Sequence, residues 1–454
     1  MNSNPPKTPG KWTVMLYLAG DNNLSEECVY SLVEAKQSLT DNDKKLTVLA
    51  QFDPAGVHAQ TKRYLLSGKG SLEKDAQATG WTAYETDTGE PDNLLEFVRW
   101  SMSQFPAEHF MLVLVGHGSG TDDDFLLHDD NPPNALSIAE LRYVFEKLSN
   151  DGRTIDILGM DTCLMNMAEV CFELLRTNLT YLVGSEGFSP NTGWPYKRII
   201  KKLTDKIRDD EKGATADWLA PQIVEEYKQF YVPYINGGIS VDQSALRVKK
   251  IDEVKKKMFS LVGTLLDEFD RGVLDYGKDN QNALLLAHWE TQSYNGEVFV
   301  DLFDFCECLA VRYNKFSSDV VKRCREVQAA IKDLVVTSRV AGAAFQFSNG
   351  LSIYFPWAVR SPAYGNLAFA SETRWVDFLD RYHTKTRREG RTDPGDILND
   401  LPVRASVPTN KGRNGNVESM RNPPTKEYIS PDPAPEPKPV TVTEEQGQEA
   451  ELVR

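Results

Sequence analysis

The sequence predicts an α/β protein with a mostly parallel central sheet covered by helices, on three observations. Short, β-branched apolar runs alternate with stretches of helical period through the first 200 residues, as they do when strands are joined by crossover helices. The apolar runs read as buried strands. Several helical stretches open on Asp, Asn or Ser, the residues that cap helix N-termini.

Taken in order, TVMLYLAG (13 to 20), LTVLAQFD (46 to 53), FMLVLVGHG (110 to 118), TIDILGMD (154 to 161) and YLVGSE (181 to 186) are the expected strands. LSEECVYSLVEAKQSL, DNLLEFVRWSMSQF, SIAELRYVFEKLS and MNMAEVCFELLR are the helices between them. Residues 11–197 are then expected to form the α/β core, after a flexible stretch at 1–10. Residues 198–335 read as a mainly helical insertion or subdomain with one strand at GGISVDQSAL, and residues 336–388 as a β-hairpin with turn residues Ser348, Asn349 and Gly350 plus a closing helix. Residues 389–454 carry 10 of the 24 prolines and one aromatic, Tyr428. Such a segment buries too little apolar area to offset its ordering entropy and is expected to be a disordered tail.

The 454 residues, with 41% apolar and 26% charged side chains, have the composition of a folded protein with a sizeable core. A net charge of −15 argues against nucleic-acid binding. The N-terminus lacks an apolar signal region and no run is long enough to span a membrane, so a cytoplasmic protein is expected. The six cysteines (28, 163, 171, 306, 308 and 324) include no CxxC pair and read as reduced thiols.

Chemistry is expected at the carboxyl ends of strands, where ligands sit in such sheets. LVLVGHGSG puts His117 directly after one strand, and ILGMDTCLMN puts Cys163 just past the next. An imidazole and a thiol on neighbouring strand ends suit a Cys–His nucleophilic pair. The helix expected to follow Cys163 would lower the thiol pKa, and the Gly118 and Cys163 N–H groups could hold an oxyanion. GHGSG is not a serine-hydrolase elbow, because His and Thr stand at 117 and 121 where that motif needs Gly.

YLAGDNNL (17 to 24), VLVGHGSG (113 to 120), DTCLMNMAE (161 to 169), VGSEGFSPNTGWPY (183 to 196) and GLSIYFP (350 to 356) occur in the order found in clostripain-like peptidases, and over residues 11 to 385 the chain resembles peptidase family C11. The resemblance implies a caspase-like α/β/α sandwich, a Cys163/His117 dyad without an obligatory third member, no required cofactor, and protein or peptide substrates cut after Arg or Lys. It assigns Asp161 to the pocket for the P1 side chain, where a carboxylate can pair with guanidinium or ammonium. Ser185, Glu186 and Trp194 would line the same pocket. Asp21, Asn22 and Asn23 read as a turn and helix cap beside it.

Calcium matters to some members of the family, and Asp122, Asp124 and Asp129 could supply oxygen ligands; an acidic solvated loop is the competing reading. Family members can also cut themselves between the catalytic His and Cys, which makes Lys147 and Arg153, around the turn SNDG, the autocleavage candidates. The rival readings are a non-catalytic scaffold that uses the helical insertion or tail to bind a regulatory partner, and a caspase-like peptidase of different P1 specificity.

Overall fold

The computed structural model describes residues 9–386 apart from 41–43, 57–58, 122, 276 and 314–317. The tail expected at 389–454 lies outside the described residues. The described residues form thirteen strands: β1 (Gly10–Gly20), β2 (Leu46–Pro54), β3 (Lys62–Leu65), β4 (Ala107–Val115), β5 (Leu126–Asp130), β6 (Pro133–Leu136), β7 (Ile155–Asp161), β8 (Leu179–Gly184), β9 (Val241–Arg247), β10 (Ser293–Tyr294), β11 (Phe299–Asp301), β12 (Val335–Ala341) and β13 (Ser352–Tyr354). Eight of them form one sheet in the order β12-β9-β8-β7-β4-β1-β2-β3. The run from β2 through β1, β4 and β7 to β8 is parallel, and antiparallel neighbours flank it on both sides. The expected mostly parallel sheet is therefore the sheet found.

Both faces are buried. Along β1, Val14, Leu16 and Leu18 enter one apolar core while Met15, Tyr17 and Ala19 enter the other, following the two-residue period of a strand. Helices Ser25–Gln37, Tyr196–Asp209 and Ala216–Tyr231 contribute to the first core. Helices Pro91–Gln104, Ile138–Asn150, Ile251–Asp270 and Leu302–Tyr313 contribute to the second. The result is an α/β/α sandwich. Helices and β9 from residues 198–335 take part in both layers and in the sheet itself.

The segment expected to be a hairpin is not one. β12 pairs with β9 in the large sheet, whereas β13 pairs with β11 in a separate three-stranded sheet, so the chain between them crosses from one sheet to the other. Asn349 marks that crossing: its N–H and side-chain amide both bond Asp301 at the end of β11, which supplies the partners that a hairpin ladder would have given.

The parallel run has one functional consequence. The carboxyl ends of β1, β4, β7 and β8 share one edge, in the spatial order β1-β4-β7-β8, with Leu18 opposite Val115 and Val115 opposite Asp161.

Candidate active site

A cleft of about 450 Å³ opens at this edge, lined among others by Asn23, Glu27, His117, Gly118, Asp161, Cys163, Ser189 and Gly193. Its volume is in the range of small-molecule and side-chain pockets. Loops after four strands supply the wall, so residues far apart in sequence meet here.

The loops after β4 and β7 touch. A Cβ on Gly118 would lie 2.6 Å from the Cys163 carbonyl oxygen, so only glycine permits this approach. Gly116 N–H donates to Asp161 O at 3.3 Å, and Leu127 N–H donates to His117 O at 2.9 Å, fixing the backbone on either side of the His117 side chain. Neither the Gly118 nor the Cys163 N–H has an acceptor among the described residues, so both are available to an oxyanion.

Cys163 is half-buried, and Ser189 N–H donates to its sulfur at 3.4 Å. Burial pushes the thiol up to about 11, outweighing the Ser189 bond, with Asp161 and Asp242 adding in the same direction. The helix expected to lower this pKa does not start at Cys163. It spans only Ala168–Glu173, and Leu164 sits at φ +64°, so the chain turns away before the helix begins. Burial thus favours the neutral thiol over the thiolate here. His117 lines the same cleft, and its Nε2 is 2.7 Å from Asn23 Oδ1.

Asp161, 5% exposed, forms part of the cleft surface. It caps no helix. Its Oδ2 accepts from Tyr196 Oη at 2.7 Å and from Trp194 N–H at 3.0 Å. Burial raises its pKa to about 6, while those two donors pull the other way. Gly193 keeps this carboxylate open: at φ +67°, a Cβ there would meet Asp161 Oδ2 at 2.8 Å.

The other expected pocket residues lie beneath the cleft rather than in its wall. Ser185 is buried, with its hydroxyl near Ser189 Oγ and Gln243 Oε1. Glu186 is buried with Asp242 and Asp301, accepts from Gly350 N–H at 2.6 Å, and is pushed well above the usual carboxylate range by burial and by those two acids. Trp194 packs its ring on Gly159 of β7, where no side chain stands in the way. These residues carry the loop after β8 instead of touching the cleft.

Asp124 accepts from Ile138 N–H at 2.9 Å at the start of a helix, and Asp129 accepts from Thr88 and Asn131. Both oxygens of Asp129 and Oδ1 of Asp124 thus accept from protein donors, and Asp122 lies outside the described residues. Among the described residues no group of three or more His, Cys, Asp or Glu side chains is arranged to hold a metal ion. Lys147 is exposed in the last turn of helix Ile138–Asn150, and Arg153 follows the turn that closes it. Ser189, Gly193 and Tyr196 were not singled out from sequence, and Asn23 is expected there only as part of a turn and helix cap. The first three lie inside the motif VGSEGFSPNTGWPY, which was the available signal.

A thiol, an imidazole and unpaired backbone N–H groups in one cleft of a caspase-like sandwich define a cysteine-type peptidase. Residues 16–382 match the clostripain family, peptidase C11, and the chain belongs to that family. Clostripain of Hathewaya histolytica is 22% identical over 406 residues, covering 76% of this chain and 74% of that protein. A secreted C11 cysteine protease from Bacteroides thetaiotaomicron, solved with an irreversible peptide inhibitor, superposes with a TM-score of 0.57 at 17% identity over 81% of this chain and 99% of the other. An inactive zymogen C11 protease from Parabacteroides distasonis gives 0.55 at 17% over 84% and 99%. These relatives overturn the expected cytoplasmic location, since the Bacteroides thetaiotaomicron enzyme is described as secreted. Among the described residues, no helix is long and apolar enough to cross a membrane.

Proposed function

We propose that this peptidase cleaves after Arg or Lys, with Cys163 as nucleophile and His117 as acid and base, and that it acts outside the cytoplasm, as its secreted relative does. The observation that carries the reading is the charge of the cleft. Glu27, Asp123 and Asp161 line it, and among the described residues no Lys or Arg does. A cationic P1 side chain would find carboxylates at the floor and rim, and an acidic one would meet only repulsion.

In the reaction, His117 takes the Cys163 proton as the sulfur attacks the carbonyl carbon after P1. The Gly118 and Cys163 N–H groups face the developing oxyanion, and Ser189 N–H offsets part of the charge on sulfur before attack. Imidazolium then gives its proton to the leaving amine, and water releases the acyl group from sulfur. No metal or cofactor takes part in these steps. Autoprocessing after Lys147 or Arg153 belongs to the same reading.

Labelling with peptidyl electrophiles that differ only at P1 tests it. An arginyl or lysyl reagent should modify Cys163 and abolish turnover, and an aspartyl reagent should not. Equal labelling by all three would remove the basic preference, and full activity in Cys163→Ala would remove the dyad.

A further inference from the structure

The turn after β1 enters the cleft, and its residues are fastened unequally. Asp21 O accepts from Asp130 N–H at 2.8 Å, and Asp21 Oδ1 from Gly56 N–H at 3.0 Å. Asn22 ties the turn down through Nδ2 to Ala19 O at 3.0 Å and His128 O at 2.6 Å, while its Oδ1 accepts from Leu24 N–H at 2.8 Å. Asn23, exposed, is not spent on this framework. The helix Ser25–Gln37 has no side-chain cap, so the role expected for Asn23 as a capping residue is not filled by it. The polar contact that the structure gives its side chain is the one to His117 Nε2, at 2.7 Å.

We infer that Asn23 is a positioning residue for His117: its side-chain carbonyl holds the imidazole as the Nε2–H tautomer and assigns proton exchange with Cys163 to Nδ1. The inference rests on the dyad reading above. An amide oxygen only accepts, so the nitrogen facing it must carry hydrogen, which leaves the lone pair of neutral imidazole on the other nitrogen. The strand order supports the same geometry. Asn23 follows β1, His117 follows β4 and Cys163 follows β7, and these strands are neighbours in that order, so the loop that carries the ring lies between those that carry the amide and the thiol. When the ring takes the second proton, the Nε2–H bond persists and the amide favours imidazolium without the full charge of a carboxylate.

The test uses the full-length protein, an arginyl amide substrate, and Cys163→Ala as control. Asn23→Ala should lower kcat about tenfold to a hundredfold, a part of the roughly hundredfold to ten-thousandfold that a positioned acid–base group contributes, and leave KM nearly unchanged. Asn23→Asp keeps the acceptor and adds charge. It should recover most of the lost kcat and move the acidic limb of kcat/KM upward by about one pH unit, because a carboxylate beside the ring keeps imidazolium, which cannot take the thiol proton, to higher pH. Wild-type kcat and pH profile in Asn23→Ala, with Cys163→Ala inactive, would overturn the inference while leaving the dyad standing. Equal losses in both Asn23 variants without movement of the limb would reduce the contact to a structural one and also overturn it. Activity in Cys163→Ala would instead sink the dyad reading itself.

Discussion

Tyr196 donates its hydroxyl to Asp161 Oδ2 at 2.7 Å. With Trp194 N–H on the same oxygen, one side of the carboxylate is committed to the protein, and Oδ1 has no protein donor among the described residues. Protein donors thus orient the group that we assign to P1 recognition.

The first prediction follows from its pKa near 6. A protonated Asp161 attracts no cation, so kcat/KM for arginyl substrates should rise with pH through about 6. Tyr196→Phe removes a donor that lowers this pKa, so the rise should move to higher pH. Substrates with a neutral P1 should not show the shift, and an unchanged limb in Tyr196→Phe would detach Asp161 from it.

Replacement of the carboxylate itself is the second. Asp161→Asn should cost on the order of a hundredfold in kcat/KM for arginyl substrates, about 3 kcal/mol for a charge-assisted pair, with little change for neutral P1. A uniform loss across P1 residues would point to a damaged loop instead.

Gly118→Ala is the third. The added Cβ would need space that the Cys163 carbonyl occupies at 2.6 Å, and backbone cannot yield as a flexible side chain can. Loss of most activity is expected, with a lowered unfolding midpoint, because one of the two loops must shift to admit the methyl group. A fully active variant would show that this approach is dispensable.

The fourth concerns the acids under the cleft. Burial raises Glu186 strongly, Asp242 to about 7 and Asp301 to about 6. Groups whose folded pKa exceeds the unfolded value near 4 stabilise fully below that value, and the stability is lost as pH rises through the folded pKa, because the unfolded chain releases its protons first. Glu186→Gln is neutral at every pH. The gap in melting temperature between variant and wild type should therefore move in favour of the variant between pH 5 and 8. Parallel curves would exclude Glu186 from the linkage.

The fifth concerns autoprocessing. Arg153 precedes β7 and Cys163 follows it, so the seven residues of that strand, at about 3.3 Å each, hold the two near opposite edges of the sheet. Cleavage after Arg153 should therefore occur between molecules. Its rate should rise with protein concentration, and inactive Cys163→Ala protein should be cut when active enzyme is added.

Much of this was legible in the sequence. The five strands of the core, His117 after β4 and Cys163 after β7 follow from apolar runs and their ends, because strand burial is a local pattern. The fate of residues 335–356 was not legible. The turn chemistry of Ser348 to Gly350 suits a hairpin, and only long-range pairing with β9 and β11 decides otherwise. Glu186 and Trp194 were drawn toward the cleft by their place in a motif, yet their burial depends on Asp242, Asp301 and Gly159, which no local signal connects to them. Asn23 was read as a cap because Asn at that position usually is one. Its use depends on a strand 94 residues away.

The contact between Gly118 and the Cys163 carbonyl has an evolutionary consequence. One short stretch of main chain, from Asp161 to Cys163, carries the carboxylate at the floor and the sulfur, and it rests against the loop that presents the imidazole. A lineage that altered the floor to accept another side chain could not do so by reshaping this stretch. It would have to exchange Asp161 for a residue of similar size, or recruit new groups from the helix Ser25–Gln37, whose Glu27 and Ser31 also line the cleft.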